Sequence, residues 1–278
     1  MRALRRVIAR PGARLTAGVL VACGAIGAGL VPLLGSSPGR SRARSSRTAQ
    51  ASGTPVLPAP APGFAIPKPS GLADPTGETR WAPVLHSSAV RLAPSASSPV
   101  VNQVSTVTPE GTANLIVATA ELTRDRVTWV RASLPSLTGR GAEGWLPRSS
   151  LGGWSFVNTR LVIDRRRLTL TLYRGSRAIF SARVGIGTAT NPTPAGSFYV
   201  RDRLTSFASP EYGPLAFGTS ARAPYLTGWP DGGYIGIHGT DQPGLIPGRI
   251  SHGCIRLTDP KIRRLGQLLA VGTPVIVS

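Results

Sequence analysis

The sequence predicts a mainly β chain with one helix near its end, and three observations carry that expectation. Leu168-Thr169-Leu170-Thr171-Leu172 alternates strictly between apolar and polar residues, the period of a half-buried strand. Short apolar pieces bounded by turn residues lie on both sides of it, such as 114–118, 127–130, 178–184, 197–200 and 234–237. Only after Asp259-Pro260 does the apolar spacing become helical, with Ile262, Leu265, Leu268 and Leu269 on one face.

Along the chain, Arg2, Arg5, Arg6, Arg10 and Arg14 precede an uncharged apolar run over 15–34. Such a run is long enough to span a bilayer. Residues 1–35 are therefore expected to be a retained membrane anchor or a signal segment. Ala49-Gln50-Ala51 resembles a cleavage site but lies far beyond the apolar run. Leu20-Val21-Ala22-Cys23 resembles a lipoprotein box, which adds lipidation at Cys23 as a third alternative. Residues 36–78 are rich in Ser, Ala and Pro, including Pro55, Pro58, Pro60, Pro62, Pro67 and Pro69. That composition predicts an extended, poorly ordered linker, able to hold a domain up to about 100 Å from a membrane.

Residues 79–151 read as a small β module that ends in Gly144-Trp145-Leu146-Pro147. It resembles bacterial SH3-like modules, which implies binding or positioning; a structural lobe without a ligand is the alternative. Residues 156–278 form the second folded part. Arg174-Gly175-Ser176-Arg177 turns the alternating strand into the next one, Asp259-Pro260 is expected to cap and start the helix, and Gly272 to stop it.

The net charge of +20 is unevenly spread. Residues 1–73 hold ten basic and no acidic side chains, and residues 155–278 sum to about +9. This distribution favours anionic partners, among them anionic wall polymers and lipid head groups. Nucleic acid is not expected: no recognition module is present, and only 6% of residues are aromatic.

The chemistry concentrates between 238 and 254, where two of the three histidines and one of the two cysteines fall. Cys23 lies in the anchor or signal segment, which leaves Cys254 as a lone thiol in an exported chain, where cysteines usually pair. A thiol becomes a nucleophile when an imidazole takes its proton. Cys254 is thus the candidate nucleophile and His238 its proton acceptor and donor. The Gly253 and Cys254 amides are candidate oxyanion donors. Arg256 is a candidate carboxylate binder, and Tyr234 a second substrate-binding residue. A zinc site built on His238, His252 and Cys254 is the rival reading. It lacks further ligands apart from Asp241, so no metal is expected.

His238-Gly239, followed by Ser251-His252-Gly253-Cys254-Ile255-Arg256, resembles the signature of the L,D-transpeptidase catalytic domain family, of YkuD type. Thr193-Pro194-Ala195-Gly196-Ser197-Phe198 is similar to the family's Thr-Pro-x-Gly-x-Phe strand. The resemblance covers 156–278 and implies a sandwich- or barrel-like β catalytic domain. It further implies that Cys254 forms a thioester with a peptidoglycan tetrapeptide stem, expelling D-alanine, and that a neighbouring stem's amine resolves it into a 3→3 cross-link. In this scheme the Gly239 carbonyl orients the His238 ring, His252 and Ser251 support the loop, no cofactor is needed, and carbapenems acylate Cys254. L,D-carboxypeptidase activity on the same site, and a wall-binding protein without catalysis, are the alternatives. The family resemblance places the protein outside the cytoplasm, in or against the wall.

Overall fold

Alternating burial sorts the strands into two sheets in the computed structural model, which describes residues 77–135, 142–205, 209–223 and 233–278. The expected anchor over 1–35, and the expected linker over 36–78 apart from its last two residues, lie outside the described residues. Among the described residues no helix is long and apolar enough to cross a membrane.

The first sheet contains β1 (Thr79–Pro83), β2 (Ser88–Arg91), β3 (Val100–Val104), β4 (Leu115–Arg124), β5 (Val127–Leu134), β6 (Ala142–Pro147) and β7 (Ser155–Val157). Their order across the sheet is β3-β2-β6-β5-β4-β1-β7. Val90, Ile116, Val130 and Leu146 fill its core. This sheet runs to Val157, past the Gly-Trp-Leu-Pro segment, because β7 pairs antiparallel with β1.

The second sheet contains β8 (Thr159–Asp164), β9 (Thr169–Arg174), β10 (Arg177–Arg183), β11 (Gly185–Gly187), β12 (Gly196–Leu204), β13 (Ala216–Arg222), β14 (Tyr234–His238), β15 (Gly248–Ser251), β16 (Ile255–Arg256) and β17 (Pro274–Val277). Their order is β10-β9-β8-β17-β12-β13-β14-β16-β11-β15. The sheet curls around one apolar core that includes Leu161, Leu170, Leu172, Phe217, Ile237 and Ile255. The alternation of 168–172 is realised in β9, where Leu170 and Leu172 are fully buried while Thr169 and Thr171 are not. The β9–β10 turn takes two residues, and Gly175 adopts φ +56° in it, a conformation glycine enters without steric cost. The fold is thus mainly β with one helix.

That helix, α1, spans Asp259–Gly266 and buries Ile262 and Leu265 in the same core. Its boundaries differ from expectation at both ends. Thr258 is the N-cap, and Asp259 lies inside the first turn. The reason is tertiary: the Asp259 carboxylate accepts the Thr240 N–H at 3.1 Å and so ties the helix start to the segment after His238. The helix also ends well before Gly272, which instead makes the turn into β17 at φ +80°. A Cβ there would lie 2.3 Å from the Trp81 ring of β1, so glycine is required where the two sheets meet.

Candidate functional site

The site begins with a pairing of very short strands. β16 has two residues and runs parallel to β14, with Ile237 opposite Ile255 and His238 opposite Arg256. The Leu257 N–H donates to the His238 carbonyl at 2.9 Å and extends the pairing by one residue. This register sets Cys254, just before β16, beside Gly236. The Gly236 N–H donates to the Cys254 sulfur at 3.3 Å. A Cβ on Gly236 would sit 3.6 Å from the His238 ring and 3.8 Å from the Cys254 Sγ, a position next to both. The sequence-predicted pair therefore shares one site.

Hydrogen bonds to hydroxyl groups hold the loop that carries the thiol. The Thr193 hydroxyl donates to the Gly253 carbonyl at 2.7 Å and accepts the Gly187 N–H at 2.9 Å. It thereby joins the segment before β12 to β11 and to the cysteine loop. Because the peptide plane is trans, fixing the Gly253 carbonyl toward Thr193 directs the Cys254 N–H the opposite way. The Ser251 hydroxyl donates to the Cys254 carbonyl at 2.6 Å and accepts the Gly253 N–H at 3.1 Å. The Gly253 amide is thus engaged in the resting chain, which differs from the expected pair of free amides. Gly253 makes this tight turn at φ +114°, where a side chain would be strained.

His238 is 2% exposed, and its Nδ1 lies 2.7 Å from the Gly239 carbonyl. A carbonyl only accepts, so Nδ1 carries the proton and Nε2 is left as the acceptor. Burial pushes the ring down to about 4; the Gly239 hydrogen bond opposes this, and the Arg256 charge adds to it. Burial also pushes the Cys254 thiol above its ordinary value, against the Gly236 N–H and the Arg256 charge, which pull it down. Thiol and imidazole are therefore both neutral at rest near pH 7. Gly239 itself is packed so closely on Gly213 and Asp259 that a Cβ would come within 2.5 Å of the Asp259 Oδ1. Sequence reasoning missed Tyr212, whose ring centroid is 4.8 Å from that of His238. Its segment carries no periodic signal, and only the folded chain brings it over the histidine.

Two cavities meet at the pair. One, of about 200 Å³, is lined by Glu110, Tyr212, Phe217, Tyr234, His238 and Cys254, among others. The other, of about 210 Å³, is lined by Glu211, Tyr212, Tyr234, His238, Ser251, His252, Cys254 and Arg256. Arg256 has its Nε buried without a hydrogen-bond partner among the described residues. Tyr234 lines both cavities, with the Arg201 guanidinium 3.7 Å from its ring centroid. His252 is exposed at the rim. Among the described residues no group of three or more His, Cys, Asp or Glu side chains is arranged to hold a metal ion.

Residues 158–277 match the model of the YkuD L,D-transpeptidase catalytic domain. This part of the chain is similar to that family's catalytic domain. The proteins called YkuD in Bacillus subtilis and Bacillus licheniformis, both assigned by name as L,D-transpeptidases, are 28% and 26% identical to it over 110 and 119 residues. Those matches cover 40% and 43% of this chain, and 60% and 65% of the relatives' own lengths. Among solved structures, a mutant L,D-transpeptidase from Enterococcus faecium is 23% identical, covering 44% of this chain and 50% of that one, with a TM-score of 0.35. An L,D-transpeptidase from Mycobacterium tuberculosis is 16% identical, covering 59% and 90%, with a TM-score of 0.38.

Two outcomes follow from the geometry around His238 and Cys254. Thr193→Val removes the hydroxyl and leaves a buried N–H and a buried carbonyl unpaired, at a cost of about 2–4 kcal/mol; denaturant unfolding is expected to read that loss, and alkylation of Cys254 to become less uniform. A histidine held at about 4 against an ordinary 6.5 keeps its full stability contribution above pH 6.5. As pH falls from 6.5 toward 4, the unfolded chain binds the proton and the folded chain does not, so stability drops by about 3 kcal/mol. Chemical denaturation across that pH range should show this slope in the parent and a smaller one in His238→Asn.

Proposed function

We propose that this chain is a peptidoglycan L,D-transpeptidase that forms 3→3 cross-links through a thioester on Cys254. The observation that carries the reading is the Cys254–His238 pair in one cavity system, with the imidazole proton fixed on the Nδ1 that faces the Gly239 carbonyl. That tautomer leaves Nε2 to take the thiol proton as the sulfur attacks the carbonyl joining a diamino acid to D-alanine. The carbon–nitrogen bond to D-alanine breaks, and the departing amine takes the proton from Nε2. A second stem's amine then attacks the thioester and gives up a proton to Nε2. The new carbon–nitrogen bond forms, the carbon–sulfur bond breaks, and the thiolate regains a proton from the imidazolium. Through both steps the Cys254 N–H, turned away from Thr193, is the donor to the tetrahedral oxygen. If water takes the place of the amine, the same steps give L,D-carboxypeptidase activity.

The unpaired buried Nε of Arg256 suits a residue that awaits a substrate carboxylate, which guanidinium groups bind by two parallel hydrogen bonds. Tyr234 lines both cavities and is a second residue that can contact the stem. No step needs a metal or an organic cofactor. The protein works outside the cytoplasm, anchored or secreted, with peptidoglycan stems as substrates. Anionic wall polymers are proposed as a further partner; Arg165, Arg166, Arg167 and Arg249 line a cavity of about 640 Å³ in a chain of net charge +20.

Intact-mass spectrometry of the full chain with a carbapenem tests the reading. A single covalent adduct on the parent and none on Cys254→Ala is expected, and a tetrapeptide donor should then release D-alanine. A folded parent that takes no adduct would contradict an acyl-accepting thiol and favour a wall-binding role.

A further inference from the structure

The catalytic cavity contains a residue that the catalytic sheet does not supply. Glu110 belongs to the connection between β3 and β4 of the first sheet, and it lines the 200 Å³ cavity together with Cys254 and His238. Its position is well defined. The tip Pro109-Glu110-Gly111 is closed by Gly111 N–H to the Thr108 carbonyl at 2.9 Å and Thr108 N–H to the Thr112 carbonyl at 2.8 Å. The Thr108 and Thr112 hydroxyls lie 2.8 Å apart, and Val107 bridges Ala113 below them. Gly111 completes the turn at φ +80°.

From this tip the Glu110 carboxylate pairs through Oε1 with Arg201 of β12. Arg201 is 3% exposed at its side chain, contacts Asp202 at 3.3 Å and stacks on Tyr234. Burial raises the Asp202 carboxyl above the usual range; the Arg201 charge opposes this, and Glu110 adds to it. Asp202 also hydrogen-bonds the Glu110 side chain, so the two carboxyl groups share Arg201. A carboxylate has about four lone-pair sites, so the contacts with Arg201 and Asp202 still leave acceptor capacity on a side chain that lines the cavity. The Glu110 side chain is 27% exposed, unlike the closed Asp202 at 1%. Every other described residue on this cavity is apolar, aromatic, a glycine or a member of the catalytic pair. Glu110 is its one carboxylate among the described residues, and Arg256 lines the second cavity but not this one. The second cavity holds both Glu211 and Arg256.

We propose that Glu110 is a specificity residue that receives the ammonium group of the acceptor, a primary amine on a diamino acid side chain, and steers it toward the acylated Cys254. The proposal rests on the transpeptidase reading above and deepens it. It gives the first sheet a share in the active site: the sheet supplies the recognition group for the second substrate, while the second sheet supplies the acyl-transfer chemistry. Without an ammonium partner in this cavity water competes better for the thioester, so Glu110 would also set the balance between cross-linking and hydrolysis.

The test uses the full chain and Glu110→Gln, which keeps the side-chain length and an oxygen for Arg201. Rates of thioester formation from a tetrapeptide donor, the acceptor KM for a diamino acid amine, and the ratio of cross-linked to hydrolysed product are measured together. Loss of one charge-assisted contact corresponds to about a tenfold rise in acceptor KM. The ratio should shift toward hydrolysis, with a much smaller change in the rate of thioester formation. An unchanged acceptor KM and product ratio, with the thioester forming normally, would overturn the role of Glu110 and leave the cysteine chemistry standing. An equal fall in both half-reactions with a lowered melting temperature would assign Glu110 a structural role and also overturn it. A parent that forms no thioester would overturn the transpeptidase reading itself.

Discussion

The parallel pairing of β14 with the two-residue β16 is the constraint on which the rest of the site depends. One register, Ile237 with Ile255 and His238 with Arg256, decides which groups meet. It places the thiol against the Gly236 N–H and the imidazole within the same cavities, and it brings Arg256 into one of them. A slip by one residue would turn Cys254 to the opposite face of the sheet. Such a short strand has few bonds of its own to hold its register. The surrounding structure fixes it: Ile237 and Ile255 are fully buried in the common core, and β11 pairs along the other edge.

Side-chain hydroxyls do the remaining positioning. Thr193 ties the Gly253 carbonyl to the Gly187 N–H, and Ser251 holds the Gly253 N–H and the Cys254 carbonyl, so the cysteine peptide has one orientation. Burial then sets the electrostatics, lowering His238 and raising Cys254 so that neither is charged before substrate arrives. A neutral pair avoids holding two charges in a poorly solvated cavity. Proton transfer is deferred to the moment of attack, when the substrate carbonyl and the Cys254 N–H share the developing charge.

Local pattern made part of this legible in the sequence. The alternation of 168–172, the Arg174–Arg177 turn and the apolar face of α1 each depend on neighbours in the chain, and each appears where the pattern puts it, apart from the helix ends. Cys254 and His238 stood out because rare side chains cluster within a short span flanked by glycines. What the sequence hid is the work of distant segments. The Asp259 carboxylate is drawn to Thr240, which shifts the cap to Thr258. The Gly253 amide is taken by a serine only two residues away, yet its turn needs Thr193 from sixty residues earlier to hold the other face of the peptide. Tyr212 and Glu110 reach the site from an aperiodic segment and from the other sheet, and no spacing rule links either to Cys254.

The protonation state of the resting site is the central claim, and nitrogen NMR of the His238 ring in the full chain addresses it most directly. The account predicts a neutral ring with its proton on Nδ1 at neutral pH, titrating only near 4. A ring that is already charged at neutral pH, or one protonated on Nε2 instead, would contradict it.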